Sequence, residues 1–418
     1  MKKIAIVGGG QCGLHLGFGL LDRGHRVTLY SDRTSEQLLN SRIQSTAFLF
    51  NQTLEWERRL GLNFWEEDAP AGEGMLVDFR DPQGKPMLTV AGRLLDKRGN
   101  AIDQRTKFAR WMQEFGKRGG ELVIRTVTVD DLEEVAAGHD LVFVASGKGP
   151  VNALFERDAA RSRHEAPPRH LAAMLLRGSR LVGDRPWPKA DFRPLRFNFV
   201  AGVGEFFSLP FYTHTAGECR SFLFEARPGG PMDRFGDAAD GAALLEIARQ
   251  VVQEFAPDDA SYFDDARLTD PNAWLKGAFT PTVRKPVGRL PSGRTVMGVG
   301  DAVCLNDPIA GQGANNASRM AEHLMRCMDA SGEWDAAWMA RSFDSFWDTS
   351  ASYTTAFTNL LLEPPGEAVM TVLGAASQHR AVADDFMRCF EEPRGYWPWI
   401  EDVEAARQFV VQRVQHAA

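Results

Sequence analysis

Cysteine is scarce in this 418-residue chain: five residues, Cys12, Cys219, Cys304, Cys327 and Cys389. They are odd in number, widely scattered and never arranged as CxxC, which argues against a disulfide scaffold and against a zinc site. No pair of histidines has HxxxH or HExxH spacing, so no metal-ligand set is expected. Long apolar runs are missing too, and none approaches the roughly 20 residues a bilayer-spanning helix needs. The Met1-Lys2-Lys3 start leads through Ile4-Ala5-Ile6-Val7 straight into glycines, without the apolar stretch of a signal peptide. Positive charge is in deficit, with 48 Lys and Arg against 55 Asp and Glu and a net charge of −7. With no basic stripe to override that balance, neither nucleic acid nor membrane is an expected partner. The expectation is a cytoplasmic protein with reduced thiols. There is no internal repeat and no low-complexity tract.

What is present is ordinary globular material, 44% hydrophobic and 25% charged residues, and the length suggests two or three domains at about 150 residues each. Residues 4–7 form a continuous apolar run of the kind that makes a strand buried on both faces. Gly8-Gly9-Gly10-Gln11-Cys12-Gly13 follows, then a helical stretch to a capping Gly24, and Arg26-Val27-Thr28-Leu29-Tyr30 reads as the next strand. Leu141-Val142-Phe143-Val144-Ala145 and Thr295-Val296-Met297-Gly298-Val299 are two more apolar strands that end in glycine. Three such ends, far apart in sequence, suggest one parallel sheet built from separated segments, with a ligand at its carboxyl edge.

The expected fold is α/β: a Rossmann-like dinucleotide-binding domain from residues 1–165 and 286–330, with pocket-lining insertions around 40–100. A mixed or antiparallel-sheet substrate domain over 166–285 and a helical region over 331–418 complete it. The middle segment is aromatic-rich and partly alternating, in Arg196-Phe197-Asn198-Phe199-Val200, Glu205-Phe206-Phe207-Ser208-Leu209 and Ser221-Phe222-Leu223-Phe224-Glu225. Helical spacing of Ala317, Met320, Ala321, Leu324 and Met325 opens a C-terminal quarter of helices, broken near Pro364-Pro365 and Pro393.

Gly8, Gly10 and Gly13 spell GxGxxG between a strand and a helix. The first glycine turns the chain, the second lets backbone approach a pyrophosphate, and the third lets helix pack on strand. Asp32 follows near the end of the second strand, as a ribose ligand or as a solvated turn aspartate. A second motif is Gly300-Asp301, followed by Asp307-Pro308-Ile309-Ala310-Gly311-Gln312-Gly313-Ala314-Asn315 and a helix. A carboxylate at such a strand end can accept hydrogen bonds from ribityl hydroxyls, and the helix start can stabilise negative charge on a reduced flavin ring. The plainer alternative is a turn capped by Asp307. Taken together, the two motifs indicate FAD rather than NAD.

At this point the chain resembles the flavoprotein monooxygenases of the 4-hydroxybenzoate hydroxylase fold, and among them the oxygenase components of styrene and indole monooxygenases. Besides the glycine motifs, residues 27–33, Arg118-Gly119-Gly120, Asp140-Leu141-Val142 and Ser146-Gly147-Lys148 carry the likeness, which spans nearly the whole chain. The resemblance implies FAD contacts from Asp32, Arg33, Arg42, Arg105, Val127 and Asp301, with Pro308, Gly311, Gly313, Ala314 and Asn315 as the wall beside the flavin ring. For Arg42 and Arg105, surface salt bridges are the alternative role. Self-contained hydroxylases of this fold carry an Asp-Gly motif where this chain has Ala145-Ser146-Gly147-Lys148-Gly149, and there is no second GxGxxG. The implied electron source is therefore reduced FAD from a separate NAD(P)H-dependent flavin reductase.

By the same resemblance Ser45, Ala47, Leu49 and Pro308 line the substrate cavity, at positions where styrene enzymes resemble Asn, Val and His for the first three. Phe197, Phe199, Phe206, Phe211 and Tyr212 could form an apolar wall, or plain core. Trp397-Pro398-Trp399, His15, Cys12 and Cys304 read as packing residues. The implied reaction passes oxygen from a flavin C4a-hydroperoxide to an aromatic-conjugated C=C, giving an epoxide of styrene or indole type. A self-contained aromatic hydroxylase, a halogenase of the same fold and a non-catalytic flavin-binding protein are the alternatives. The oligomeric state, monomer or homodimer, stays open.

Overall fold

In the computed structural model, which describes residues 1–94, 97–147, 150–179 and 191–417, two large sheets organise the chain. The first has six strands: β1 (Lys3–Val7), β2 (Arg26–Ser31), β5 (Glu121–Ile124), β6 (Leu141–Val144), β14 (Val287–Arg289) and β15 (Thr295–Gly298). Their order is β14-β15-β6-β1-β2-β5, and all neighbours are parallel except the edge strand β14. Four consecutive buried residues in β1 explain the continuous apolar run: the strand lies between β2 and β6 with both faces covered.

α1 (Gln11–Asp22) packs against α4 (Gln104–Lys117) and α7 (Gly313–Asp329). Two glycines permit the close crossings, because a Cβ on Gly17 would sit 3.0 Å from the Phe115 ring and one on Gly19 would sit 2.0 Å from Met325 Sδ. The short helices α2 (Ser35–Leu39), α3 (Asn51–Arg59) and α5 (Val129–Gly138) complete this part.

The second sheet has β3 (Gly74–Arg80), β4 (Pro86–Arg93), β7 (His170–Arg177), β8 (Pro194–Val200), β9 (Gly204–Thr213), β10 (Gly217–Ala226), β11 (Arg267–Leu268) and β12 (Trp274–Gly277). β13 (Thr282–Val283) and β16 (Cys304–Leu305) pair as a separate ribbon. Strand alternation sorts the aromatics of this sheet onto two faces. Phe206, Phe222 and Phe224 pack against α6 (Gly241–Phe255), whereas Phe197, Phe207, Phe211 and Cys219 face a core shared with the C-terminal helices. Those helices are α8 (Ala336–Phe346), α9 (Ser352–Leu361), α10 (Glu367–Ala376), α11 (Arg380–Arg388) and α12 (Val403–Ala417).

The larger sheet is mixed, and it reaches outside the 166–285 segment. The β3–β4 hairpin joins it through a parallel pairing of β3 with β8, from Gly74 against Pro194 to Arg80 against Val200. About 120 residues separate the two strands, a loop closure that local patterning does not register. Trp399 supports the packing reading of its motif, its ring tilted 30° against that of Phe409 with centroids 4.3 Å apart.

Candidate flavin site

Three strand ends meet above the parallel sheet. Gly8, at φ +120°, donates its N–H to the Tyr30 carbonyl at 2.9 Å, and a Cβ there would fall 2.8 Å from the Ala145 carbonyl carbon. A Cβ on Gly13 would sit 2.0 Å from the Gly8 oxygen. Gly10 is different, because among the described residues no heavy atom beyond its chain neighbours lies within 4 Å of its hypothetical Cβ. Two glycines of the motif thus let elements touch, and the middle one borders open space. Gly10 is also the N-cap of α1, with no side-chain cap and no acidic residue in the first turn. The first amides and the positive end of the helix dipole therefore face that space uncompensated, an arrangement suited to a phosphate.

Asp301 borders the same region. It is exposed, its Cβ lies 2.9 Å from where a Gly147 Cβ would be, and Gly300 beside it packs on Cys12. Burial, helped by the Asp301 charge, pushes the Cys12 thiol far up, so Cys12 is inert packing beneath the cradle. Cys304 is likewise buried, and its thiol is pushed up to about 11. Of the Ala145-Ser146-Gly147-Lys148-Gly149 run, Lys148 and Gly149 lie outside the described residues.

After Asp301 the chain passes through Asp307, whose carboxylate accepts from the Ile309 N–H at 3.1 Å, and turns at Gly311, φ +63°, into α7. Gly311 and Gly313 face open space, and Ala314 is half-buried beside them. Ile309 and Ala310 enter the core that holds Phe48, Phe50 and Phe211, while Pro308 stays half-buried.

Asn315 is turned the other way. Its side chain is fully buried, accepts from the Phe50 N–H and the Thr53 hydroxyl, and donates to the Phe48 and Gly311 carbonyls. Every polar atom of that side chain is used, so Asn315 clamps the 48–53 segment to α7.

The other expected cofactor residues divide. Asp32 and Arg33 are solvent-accessible at the end of β2 and pair at 3.3 Å. Val127 is buried nearby, on the chain leaving β5, where the Arg125 N–H reaches the Ser31 carbonyl at 2.8 Å. Arg42 is exposed, with its guanidinium 4.0 Å from the centre of the Trp274 ring. Arg105 is buried and fully engaged: it bonds Asp103 at 2.7 Å, Asp270 at 2.8 Å and the Ser41 carbonyl at 3.1 Å. Burial works against its charge, but the hydrogen bonds to Asp270 and Asp103 more than offset this and raise its pKa. The salt-bridge role is thus occupied at Arg105, in the interior rather than at the surface, and through Ser41 it braces the loop that carries Arg42.

Of the expected substrate-pocket residues, Ser45 and Ala47 are half-buried, and Leu49 is buried with its backbone bridged to Asn100. Phe211 is fully buried in the core that receives Ile309 and Ala310. Phe197 and Phe199 lie on the same sheet face, but Phe197 contacts Phe207 and Phe390, and Phe199 stacks on Phe79 at 5.3 Å. Phe206 is on the opposite face against α6, which removes it from the expected wall. Tyr212 holds the sheet to the 101–103 segment by backbone hydrogen bonds of 2.9 and 2.8 Å.

Buried polar partners escaped the sequence reading because they lie far apart along the chain. Gln11 donates to Glu57 and to Ser318, both at 2.9 Å, and Glu57 also receives the buried Lys107 ammonium at 2.5 Å. His15 meets Glu322 at 2.8 Å, a partner about 300 residues away, and Arg59 joins the same carboxylate. Gln312 donates to the Phe390 carbonyl at 2.7 Å and accepts from Arg319 at 3.2 Å, tying the second glycine motif to the C-terminal helices. Its place inside GQG is the one signal that could have singled it out. Among the described residues, no helix is long and apolar enough to cross a membrane, and no cluster of His, Cys, Asp or Glu could hold a metal ion.

Residues 147–261 match the family model for the styrene monooxygenase A substrate-binding domain. Two styrene monooxygenases StyA, from Pseudomonas fluorescens and from a Pseudomonas species, are 27% and 28% identical to the chain, each alignment covering 98% of both proteins. Among solved structures, PqsL of Pseudomonas aeruginosa, described as a probable FAD-dependent monooxygenase, shares the fold with a TM-score of 0.58 at 14% identity, over 90% of this chain and 97% of its own. The glycine cradle, the late Gly-Asp strand end and full-length likeness to StyA thus lead to one conclusion: the chain is a styrene monooxygenase-like oxygenase component, a flavin-dependent monooxygenase.

Proposed function

We propose that the chain epoxidises an aromatic-conjugated C=C, using O2 and reduced FAD delivered by a separate flavin reductase, and that indole-like bicyclic substrates suit it better than styrene. The observation that carries this reading is the course of the 307–311 loop, which leaves the Asp301 strand end and sends Ile309 and Ala310 into the apolar core of the larger sheet. A flavin ring seated against that loop lies between a polar cradle and an apolar wall. Bound reduced FAD supplies O2 activation and transfer of one oxygen atom to an electron-rich double bond.

The residues of the chain supply position and dryness. Gly8, Gly10, Gly13 and the α1 start hold the pyrophosphate, Asp32 and Arg33 the adenosine end, and Asp301 the ribityl hydroxyls. The unacidified start of α7 stabilises negative charge at the ring. Leu49, Phe211 and Pro308 exclude water, and the Ser45 hydroxyl accepts the N–H of a bicyclic substrate. Residues 1–165 with 286–330 make up the flavin-binding part of this arrangement and 166–285 most of the substrate side.

The test is product analysis with chemically reduced FAD, O2 and a panel of indole, styrene and aryl sulfides. The reading expects epoxide-derived product, with indole favoured. Ring hydroxylation, halogenation in the presence of halide, or flavin oxidation without product would refute it.

A further inference from the structure

Behind the flavin loop, three carboxyl groups are buried together with one arginine engaged among them. Glu225 on β10 stands directly opposite Glu205 on β9, on the face of the sheet that looks toward the 307–311 loop, and Asp307 approaches from that loop. Glu225 is 0% exposed, Asp307 2% and Glu205 6%. Arg169, just ahead of β7, grips Glu205 with hydrogen bonds of 2.8 and 2.9 Å and directs its other contacts to the Pro168 and Leu362 carbonyls. Glu205 is thereby neutralised. Asp307 accepts the Ile309 N–H at 3.1 Å. Glu225 is left over: neither of its oxygens receives a hydrogen bond from a donor among the described residues, and the group it meets is the Asp307 carboxyl.

An ionised Glu225 would be a buried charge with no donor, facing a second carboxylate, which is among the costliest arrangements in a protein interior. A single proton resolves it. Protonation removes the charge and turns one Glu225 oxygen into a donor, and Asp307 is the acceptor that faces it. We propose that Glu225 is kept as an un-ionised carboxylic acid that hydrogen-bonds Asp307 and so fixes the 307–311 loop in its cofactor-binding position. Glu225 is a positioning residue, acting through Asp307. The proposal rests on the assignment of this loop to the flavin site, and it adds a proton on which that loop depends.

The surroundings agree in sign. Burial first, and then Asp307 and Glu205, push the Glu225 carboxyl well above the ordinary range, with Arg169 opposing more weakly. Burial also raises Asp307, against the Glu225 hydrogen bond first and then the Ile309 N–H, Arg169 and His164, and raises Glu205, against Arg169 and Arg227. The pair titrates as a unit, and its un-ionised member is the one lacking a cation. Because the folded-state pKa is raised, the stabilisation is complete below the ordinary carboxyl range and is lost as pH rises through the folded value.

The experiment compares wild type with Glu225→Gln and Glu225→Ala, measuring the thermal midpoint of the cofactor-free chain and its FAD affinity from acid to alkaline pH. Glutamine is a permanent neutral donor of nearly the same shape. The wild type should lose thermal stability relative to Glu225→Gln as pH rises. Its FAD affinity should fall by up to about tenfold per pH unit on the alkaline side, the limit for one linked proton. Glu225→Gln should hold its affinity constant, and Glu225→Ala should be weak at every pH. Parallel profiles for wild type and Glu225→Gln would overturn the proposal.

Should Glu225→Gln not fold, infrared spectra of carboxyl-13C-glutamate protein at neutral pH decide the matter. An un-ionised acid C=O band that shifts with the label in wild type and not in Glu225→Asp supports the proposal, and its absence in wild type overturns it. None of these readouts needs a substrate, so failure of the epoxidation reading would leave the test intact.

Discussion

Single residues divide the flavin cradle into parts that hold the fold and parts that face the ligand, and substitutions should separate the two. Gly10→Ala adds a methyl where no described residue beyond the chain neighbours comes within 4 Å, whereas Gly13→Ala places one 2.0 Å from the Gly8 carbonyl oxygen. The first should leave the melting temperature of the cofactor-free chain unchanged and weaken FAD binding in a titration. The second should lower the melting temperature itself, since overpacking against backbone costs typically 1–3 kcal/mol or more.

Asp301→Ala should weaken FAD by about ten- to a hundredfold, the loss of charge-assisted hydrogen bonds of roughly 1.5–3 kcal/mol. Unchanged affinity in a folded variant would reduce Asp301 to a turn residue. For substrate choice, Ser45→Ala should lower the indole-to-styrene ratio of specificity constants by roughly tenfold, because the ring N–H then loses its acceptor at a cost of about 1–3 kcal/mol. A competition assay with an unchanged ratio would make Ser45 a packing residue.

Elements were legible in the sequence wherever the pattern was local. β1, α1, β2, β6, β15 and α7 fall where continuous apolar runs, GxGxxG and 3.6-residue spacing put them. The aromatic strands β8, β9 and β10 were legible as well, but which face each phenylalanine takes followed only from the pairing, and Phe206 went to the far side. The β3–β4 hairpin went unassigned to the large sheet because its partner β8 lies about 120 residues downstream, a pairing that a local pattern cannot register.

Buried ionic clusters were the least legible. Nothing in Asp103, Arg105 and Asp270, or in His15 and Glu322, marks them as partners until the elements are assembled. Their energetics are testable: Arg105→Ala leaves two carboxylates without their cation and should cost about 3–5 kcal/mol in denaturant unfolding, as removal of one partner from a buried pair does. The FAD affinity of a variant that still folds would fall as well, because the Ser41 carbonyl loses its anchor next to Arg42.

At the scale of the whole molecule, the proposed function makes the chain one half of a redox partnership. In that reading it would bind the flavin at the carboxyl ends of the parallel sheet; the loop after Asp301 is seated on an apolar sheet face, and the sequence has one GxGxxG motif with no second one for a nicotinamide. Electrons must then arrive on the flavin itself. The decisive measurement is NADH oxidation and product formation by the purified chain with FAD, O2 and indole, with and without an added flavin reductase. The account predicts no substrate-dependent NADH oxidation and no product from the chain alone, and product once the reductase is present. Rapid NADH oxidation coupled to product by the chain without a reductase would contradict it.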